Sequence, residues 1–393
     1  MCPQFDRLQH SKPTEEETRL QKLADEVWTE LDGGIDGIST NETSEDCLTL
    51  NVWAPMTEKG QVFKKGQLLP VMVFIHGGDF YSGTANLNRF EGKFLTYGTH
   101  AVVVTLNYRL GALGFFHSTS EQTANVGLMD QASALEWVQA NIEHFGGDKN
   151  QVTVFGESAG SASVNYLMMS PKSENLMNRV ILESGVATCH WAYIPPHKAR
   201  ERSANLAKRV GCPSKQKNCI DEEAMACLRG QDAKTIIKVA QDMYNESNAK
   251  DNFVPTTDAL FFPFTPEDAL KREINKKPEQ AKDVMIGYNA NEGGYFVATS
   301  PLPHLGKTWR EPLREETFDL LLKVIADRGS NSVQSMQRWF KTAKNRGASA
   351  GPLPCPSTHS LAPLTRVVAL FCLLARFFHF SCVFATLPQP RYF

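Results

Sequence analysis

Two stretches of this 393-residue chain carry residue types that can do chemistry together. The first is "QVTVFGESAGSASVNYL", residues 151–167, in which an apolar run leads into Gly156-Glu157-Ser158-Ala159-Gly160 and then a helix-like segment. Strand, sharp turn and helix form the setting in which a G-x-S-x-G serine is lifted above a sheet edge as a nucleophile, here Ser158. Glycines at 156 and 160 suit a turn too tight for side chains. The second stretch is "FIHGGDFYSG", residues 74–83, which follows another strongly apolar run. It reads as a loop that offers backbone N–H groups to an oxyanion, with Gly77 and Gly78 allowing close approach. Ala159 would add the N–H of the residue after the nucleophile. Removing one such donor costs about a hundred- to a thousand-fold in kcat, so the loop carries real energetic weight. The chemistry implied is acyl transfer, which also needs a histidine to take the serine proton and a carboxylate to orient that histidine.

The elements that would position these residues are legible as short apolar runs at 48–54, 69–76, 101–108, 151–156, 179–184 and 283–288. Continuous Val/Ile runs suit strands covered on both faces. Helical segments lie between them, at 131–145 and 203–210, and strands alternating with helices predict a mostly parallel sheet. Residues 1–45 read as loop and a short polar helix. The composition changes near residue 346. A Gly/Pro/Ser-rich linker is followed by the apolar run 364–387, long enough to cross a bilayer. Arg376 in its middle, with Arg366 and His379, argues against a membrane span. Residues 346–393 are taken as a tail unrelated to the preceding domain, the plain alternative being aberrant coding sequence.

Charged residues make up 21% and hydrophobic ones 42%, with a formal net charge of −2. This is an ordinary globular balance. No basic stripe points to nucleic acid. The polar start carries no signal-peptide core. Asn41 and Asn245 head glycosylation sequons. The nine cysteines allow several disulfides that sequence cannot pair by itself.

Taken together, "SEDCLTLNVWAP" (44–55), "HGGDFYSG" (76–83), "NYRLGALGF" (107–115), "NVGLMDQASALEWVQANI" (125–142), "FGGDKNQVTVFGESAGS" (145–161) and "ILESG" (181–185) resemble, in order, the motifs of the type-B carboxylesterases. These are the cholinesterase-like branch of the α/β-hydrolases. The resemblance covers residues 1–345, a partial carboxylesterase domain. It implies an α/β-hydrolase fold, with a mostly parallel central sheet and helices on both faces. It also implies hydrolysis of small-molecule carboxylic esters with Ser, Glu and His, and neither metal nor cofactor. A full-length relative would be secreted, ER-lumenal or membrane-anchored. "IGYNANEGGYF" (286–296) is similar to the family's acid-bearing turn, making Glu292 the triad carboxylate; on spacing alone it is equally a loop carboxylate. Trp191 resembles the family's acyl-pocket tryptophan, or is simply core. Cys2 with Cys47, and Cys212 with Cys227, match the family's bridges, although Cys219 leaves the second pairing open.

The chain departs from the family pattern in three places. No histidine sits in a matching context: His304 follows Glu292 too closely, and His359 and His379 lie in the tail. The chain therefore reads as a carboxylesterase clipped at both ends and is expected to turn over esters poorly. The rival readings are a non-catalytic binding or adhesion protein, which typically loses the serine, and a non-functional truncated gene product. Asp79 stands where the family has a third glycine. Its N–H survives, while its carboxylate faces either the developing oxyanion or solvent. The family's choline-binding tryptophan has no counterpart.

Overall fold

The computed structural model describes residues 1–4, 43–56, 68–118, 124–215, 220–247, 252–289, 292 and 385–386. Seven strands are described: β1 (Leu50–Trp53), β2 (Leu69–Ile75), β3 (Val102–Leu106), β4 (Gly147–Glu157), β5 (Arg179–Glu183), β6 (Asp283–Gly287) and β7 (Ala385–Thr386). They form one sheet in the order β1-β3-β2-β4-β5-β6-β7. The pairs from β3 through β6 are parallel, and the outermost pairs, β1 with β3 and β6 with β7, are antiparallel. The helices are α1 (Lys93–Thr99), α2 (Gly111–Phe115), α3 (Val126–Asn141), α4 (Ala159–Met169), α5 (Pro196–Arg209), α6 (Glu222–Arg229), α7 (Ala233–Glu246) and α8 (Pro266–Ile274).

The centre of the sheet is buried because its strands are apolar on both faces. Val71, Val73 and Ile75 of β2, all of β3, and Val152 and Val154 of β4 are buried. α4 packs onto this centre and is buried along its whole length. Tyr166 inside it donates its hydroxyl to the carbonyl of Ala192 at 2.9 Å. Burial fades toward β6, where no residue is fully buried.

The strand registers align the carboxyl ends of the parallel strands. Ile75 pairs with Gly156, Glu157 with Glu183, and Glu183 with Gly287. Ligands and reacting groups gather outside this edge in open α/β sheets, and the order reverses across β2. The segments that leave it are the Gly77–Gly78 loop, the Ser158 turn, the Ser184–Gly185 turn and the segment bearing Glu292.

Each expected strand is present, with boundaries that differ in physically readable ways. β4 begins at Gly147, four residues before the apolar run, because the polar Asp148–Asn150 stretch still extends the chain after Gly147 pairs with Leu69. α3 begins at Val126 rather than 131. Its buried side includes Asp130 and Gln131, so its apolar period is weak. α5 begins at Pro196, a residue suited to the first turn of a helix, rather than at 203. α6, α7 and α8 were not anticipated. The expected short helix within residues 1–45 falls outside the described residues. So does nearly all of the 346–393 tail, apart from Ala385–Thr386, which pairs with Met285–Ile286. Among the described residues no helix is long and apolar enough to cross a membrane.

Candidate active site

Ser158 sits between β4 and α4 with φ 56° and ψ −121°, a left-handed backbone that a non-glycine residue adopts at a cost. The surroundings impose it. The Ser158 N–H donates to the carbonyl of Glu183 at 2.9 Å, and its own carbonyl accepts from Ala162 N–H at 3.0 Å, entering the helix. The flanking glycines are required by contact. A Cβ on Gly160 would lie 2.0 Å from the Ile75 carbonyl oxygen, and one on Gly156 would lie 2.6 Å from the same atom. Gly185, just after β5, passes so close that a Cβ there would meet the Ser158 carbonyl oxygen at 2.4 Å. The elbow is therefore clamped by β2 on one side and by the turn after β5 on the other.

The second loop runs through Gly78, Asp79 and Phe80, all with positive φ (116°, 54° and 63°). Gly77 lies against the elbow: a Cβ on it would sit 2.7 Å from the Glu157 carbonyl oxygen and 3.2 Å from Ser158 Cβ. The loop's carbonyls are each held. Gly77 O faces His76 Nδ1 at 2.8 Å. Gly78 O accepts from the N–H groups of Tyr81 (3.1 Å) and Ser82 (3.0 Å) and from Ser82 Oγ. Asp79 O accepts from Asn252 Nδ2 at 2.8 Å. In a trans peptide the following N–H points the opposite way, so anchoring the carbonyls aims the N–H groups of Gly78, Asp79 and Phe80 away from these partners. Among the described residues, the N–H groups of Gly78 and Ala159 have no protein acceptor. They are the kind of preset donors an oxyanion requires.

Glu292 stands beyond β6. Its Oε1 accepts from Asn289 N–H at 2.6 Å and from the hydroxyl of Ser184, the residue just after β5, with φ 56°. Ser184 N–H in turn donates to Gly287 O at 2.9 Å, tying the two turns together. Among the described residues no histidine hydrogen-bonds Ser158 Oγ or Glu292. His304, His359 and His379 lie outside them.

The site is acidic. A Cβ on Gly77 would meet Glu157 Oε2 at 3.1 Å, so this carboxyl lies beside the oxyanion loop. Burial pushes its pKa up to about 7, and the charges of Glu292, Asp79 and Glu183 add to the shift while Arg89 opposes it. Glu157 as a residue still borders solvent, which screens this cluster. Asp79 is exposed, yet its charge is felt at Glu157. Trp191 lies beside the elbow's neighbour, its ring 3.2 Å from where a Gly185 Cβ would be and 6.3 Å, centroid to centroid, from Phe80.

The family model for the carboxylesterase family matches residues 1–349. The chain belongs to that family. It is similar to an acetylcholinesterase of Danio rerio, 40% identical over 303 residues that make up 75% of this chain and 46% of that protein. An acetylcholinesterase of Electrophorus electricus is 42% identical over 257 residues, 65% of this chain and 38% of its own length. Cholinesterase 1 of Branchiostoma lanceolatum is 39% identical over 290 residues, 70% of this chain and 74% of its own length. The chain thus spans less than half the length of the two acetylcholinesterases.

Carboxylesterase cysteines are oxidised here. Cys2 is bonded to Cys47, and Cys212 to Cys227. Cys189 is disulfide-bonded as well, a bridge the sequence reading missed. Asn245 is exposed near the end of α7, while Asn41 lies outside the described residues. Among the described residues no cluster of His, Cys, Asp or Glu could hold a metal ion. The sequence reading also missed Ser184, Asn289, Gly185 and His76. Ser184 and Gly185 lie in "ILESG", but nothing in that string says that its serine will meet a carboxylate 108 residues away.

Proposed function

We propose that this chain hydrolyses carboxylic esters through an acyl-enzyme formed on Ser158. The observation that carries the reading is the seating of Ser158 against the Gly77–Gly78 loop, with the donors of Gly78 and Ala159 at hand. Ser158 Oγ attacks the ester carbonyl. The oxyanion that forms takes hydrogen bonds from Gly78, Asp79 and Ala159, with Gly77 leaving room for it. The alcohol leaves, and water then releases the acid from the serine. Glu292, held by Ser184 and Asn289, is the carboxylate that would orient a histidine base, and Trp191 lines the acyl side; no histidine among the described residues stands there to take the Ser158 proton, so turnover by this chain is expected to be poor. The disulfides fit an oxidising compartment, such as the secretory lumen or the cell exterior.

A second reading concerns the alcohol. The charges of Glu183, Asp79 and Glu292 felt at Glu157, the residue before the serine, favour a cationic ester, which agrees with the names of the cholinesterases that the chain resembles. The test of the main reading is labelling with a fluorophosphonate probe, followed by peptide mapping. Label on Ser158, lost in Ser158→Ala, is expected. Label elsewhere, or undiminished in Ser158→Ala, would sink it.

A further inference from the structure

We propose that Gln4 is a positioning residue for the oxyanion hole, holding Gly83 down on the hydrogen bond that aims the Gly78 N–H. The proposal rests on the esterase reading above. Gln4 is 79 residues from Gly83 in sequence and is buried, with 6% of its surface exposed. Its Oε1 accepts the Gly83 N–H at 2.7 Å, and its Nε2 faces the Cys2 carbonyl at 3.4 Å. The Cys2–Cys47 bridge and a bond from Ser44 N–H to Met1 O (3.0 Å) fix the segment that carries it.

Gly83 closes the oxyanion loop with φ 117°. A Cβ on it would lie 2.4 Å from both Gly77 O and His76 Nδ1. Its backbone is thus pressed onto the His76–Gly77 hydrogen bond and shields that bond from water. His76 is itself fixed, 1% exposed, stacked on Tyr108 at 4.5 Å, with its carbonyl taking the Tyr108 hydroxyl at 3.0 Å. Facing a carbonyl, Nδ1 must carry the proton, and burial holds the ring neutral, its pKa lowered to about 4. The Gly77–Gly78 peptide can then point its N–H only to the side away from His76. Without the Gln4 acceptor, the Gly83 N–H must seek water, the loop segment lifts, and water competes for Gly77 O. The peptide that supplies an oxyanion donor is then free to turn.

The experiment compares Gln4→Met, which keeps the shape without the acceptor, with Gln4→Glu, which keeps the acceptor. Two readouts are used: p-nitrophenyl acetate hydrolysis, and amide hydrogen exchange over residues 77–83. Gln4→Met is expected to lower kcat about ten- to a hundred-fold with KM little changed, because an oxyanion donor acts in the transition state. It should also speed exchange across the loop. Gln4→Glu is expected to stay near the parent in both. Equal losses in the two variants, or no change in Gln4→Met, would overturn the proposal. If the parent shows no Ser158-dependent hydrolysis, the esterase reading fails, and the strut is judged by exchange alone: unchanged exchange in Gln4→Met overturns it.

Discussion

The serine and the oxyanion loop stand on β4 and β2, whose apolar residues Val71, Val73, Ile75, Val152 and Val154 are fully buried. Glu292 stands beyond β6, where burial has faded. Around Ser158, four glycines meet backbone atoms at distances that exclude a side chain, and each loop carbonyl has a partner. Glu292 has two hydrogen bonds through one oxygen. The difference fits the chemistry proposed for each. An oxyanion donor must be in place, within a fraction of an ångström, as charge appears. An orienting carboxylate acts through the residue it orients, and a longer lever tolerates more slack.

The sharpest way to break this contrast is to add one methyl to each side. Gly160→Ala puts a Cβ 2.0 Å from the Ile75 carbonyl with backbone on both sides. It is expected to cost more than about 3 kcal/mol, or to prevent folding, measured by urea denaturation. Gly287, at the end of β6, would meet nothing within 4 Å, and Gly287→Ala is expected to change stability by less than about 0.5 kcal/mol. Comparable losses in the two would erase the distinction.

A milder probe is Ser184→Ala, which among the described residues leaves Glu292 held only by Asn289. Stability should fall by about 1 kcal/mol, and Ser158 labelling should slow several-fold. An unchanged labelling rate would show that Glu292 takes no part. Asp79→Gly acts on the other region. It relieves a positive φ and removes a charge from beside Glu157. We expect a gain of up to about 1 kcal/mol and faster labelling of Ser158. A loss on either count would place the Asp79 carboxylate in a supporting role.

The smallest effect is a pH dependence. Glu157 has a folded-state pKa of about 7 against 4.5 for the free group, so the folded chain prefers it protonated. That preference is complete below pH 4.5 and is lost as pH rises through 7. The parent should therefore lose thermal stability relative to Glu157→Gln over this window, by a modest amount because solvent screens the cluster. Parallel melting profiles for the two would remove Glu157 from the acidic group.

The tightly held region was also the readable one. Gly156, Ser158, Gly160, Gly77 and Gly78 announce themselves because a forced backbone leaves residue types with no substitutes. The strands of the core announce themselves through unbroken Val/Ile runs. What escaped was set by tertiary contact. The polar start of β4 is extended only because Leu69 meets Gly147. Ser184 and Asn289 are ordinary loop residues until β5 and β6 align them with Glu292. Gln4 gains meaning only from a glycine 79 positions away. Glu292 was assigned by resemblance and left open by spacing, and among the described residues it is held by few contacts.

Gly160 rests on the carbonyl of Ile75, and Gly77 rests on that of Glu157, so each turn is seated on the strand that launches the other. Such a cross-lock has a dynamic consequence. Thermal motion carries the serine and the oxyanion donors as one body, since neither can slide without forcing backbone into backbone. Slower motions of surrounding loops then govern when a substrate enters, while the distance across which charge develops stays fixed. The temperature dependence of acylation should accordingly report the chemical barrier and not the time spent assembling the groups that lower it.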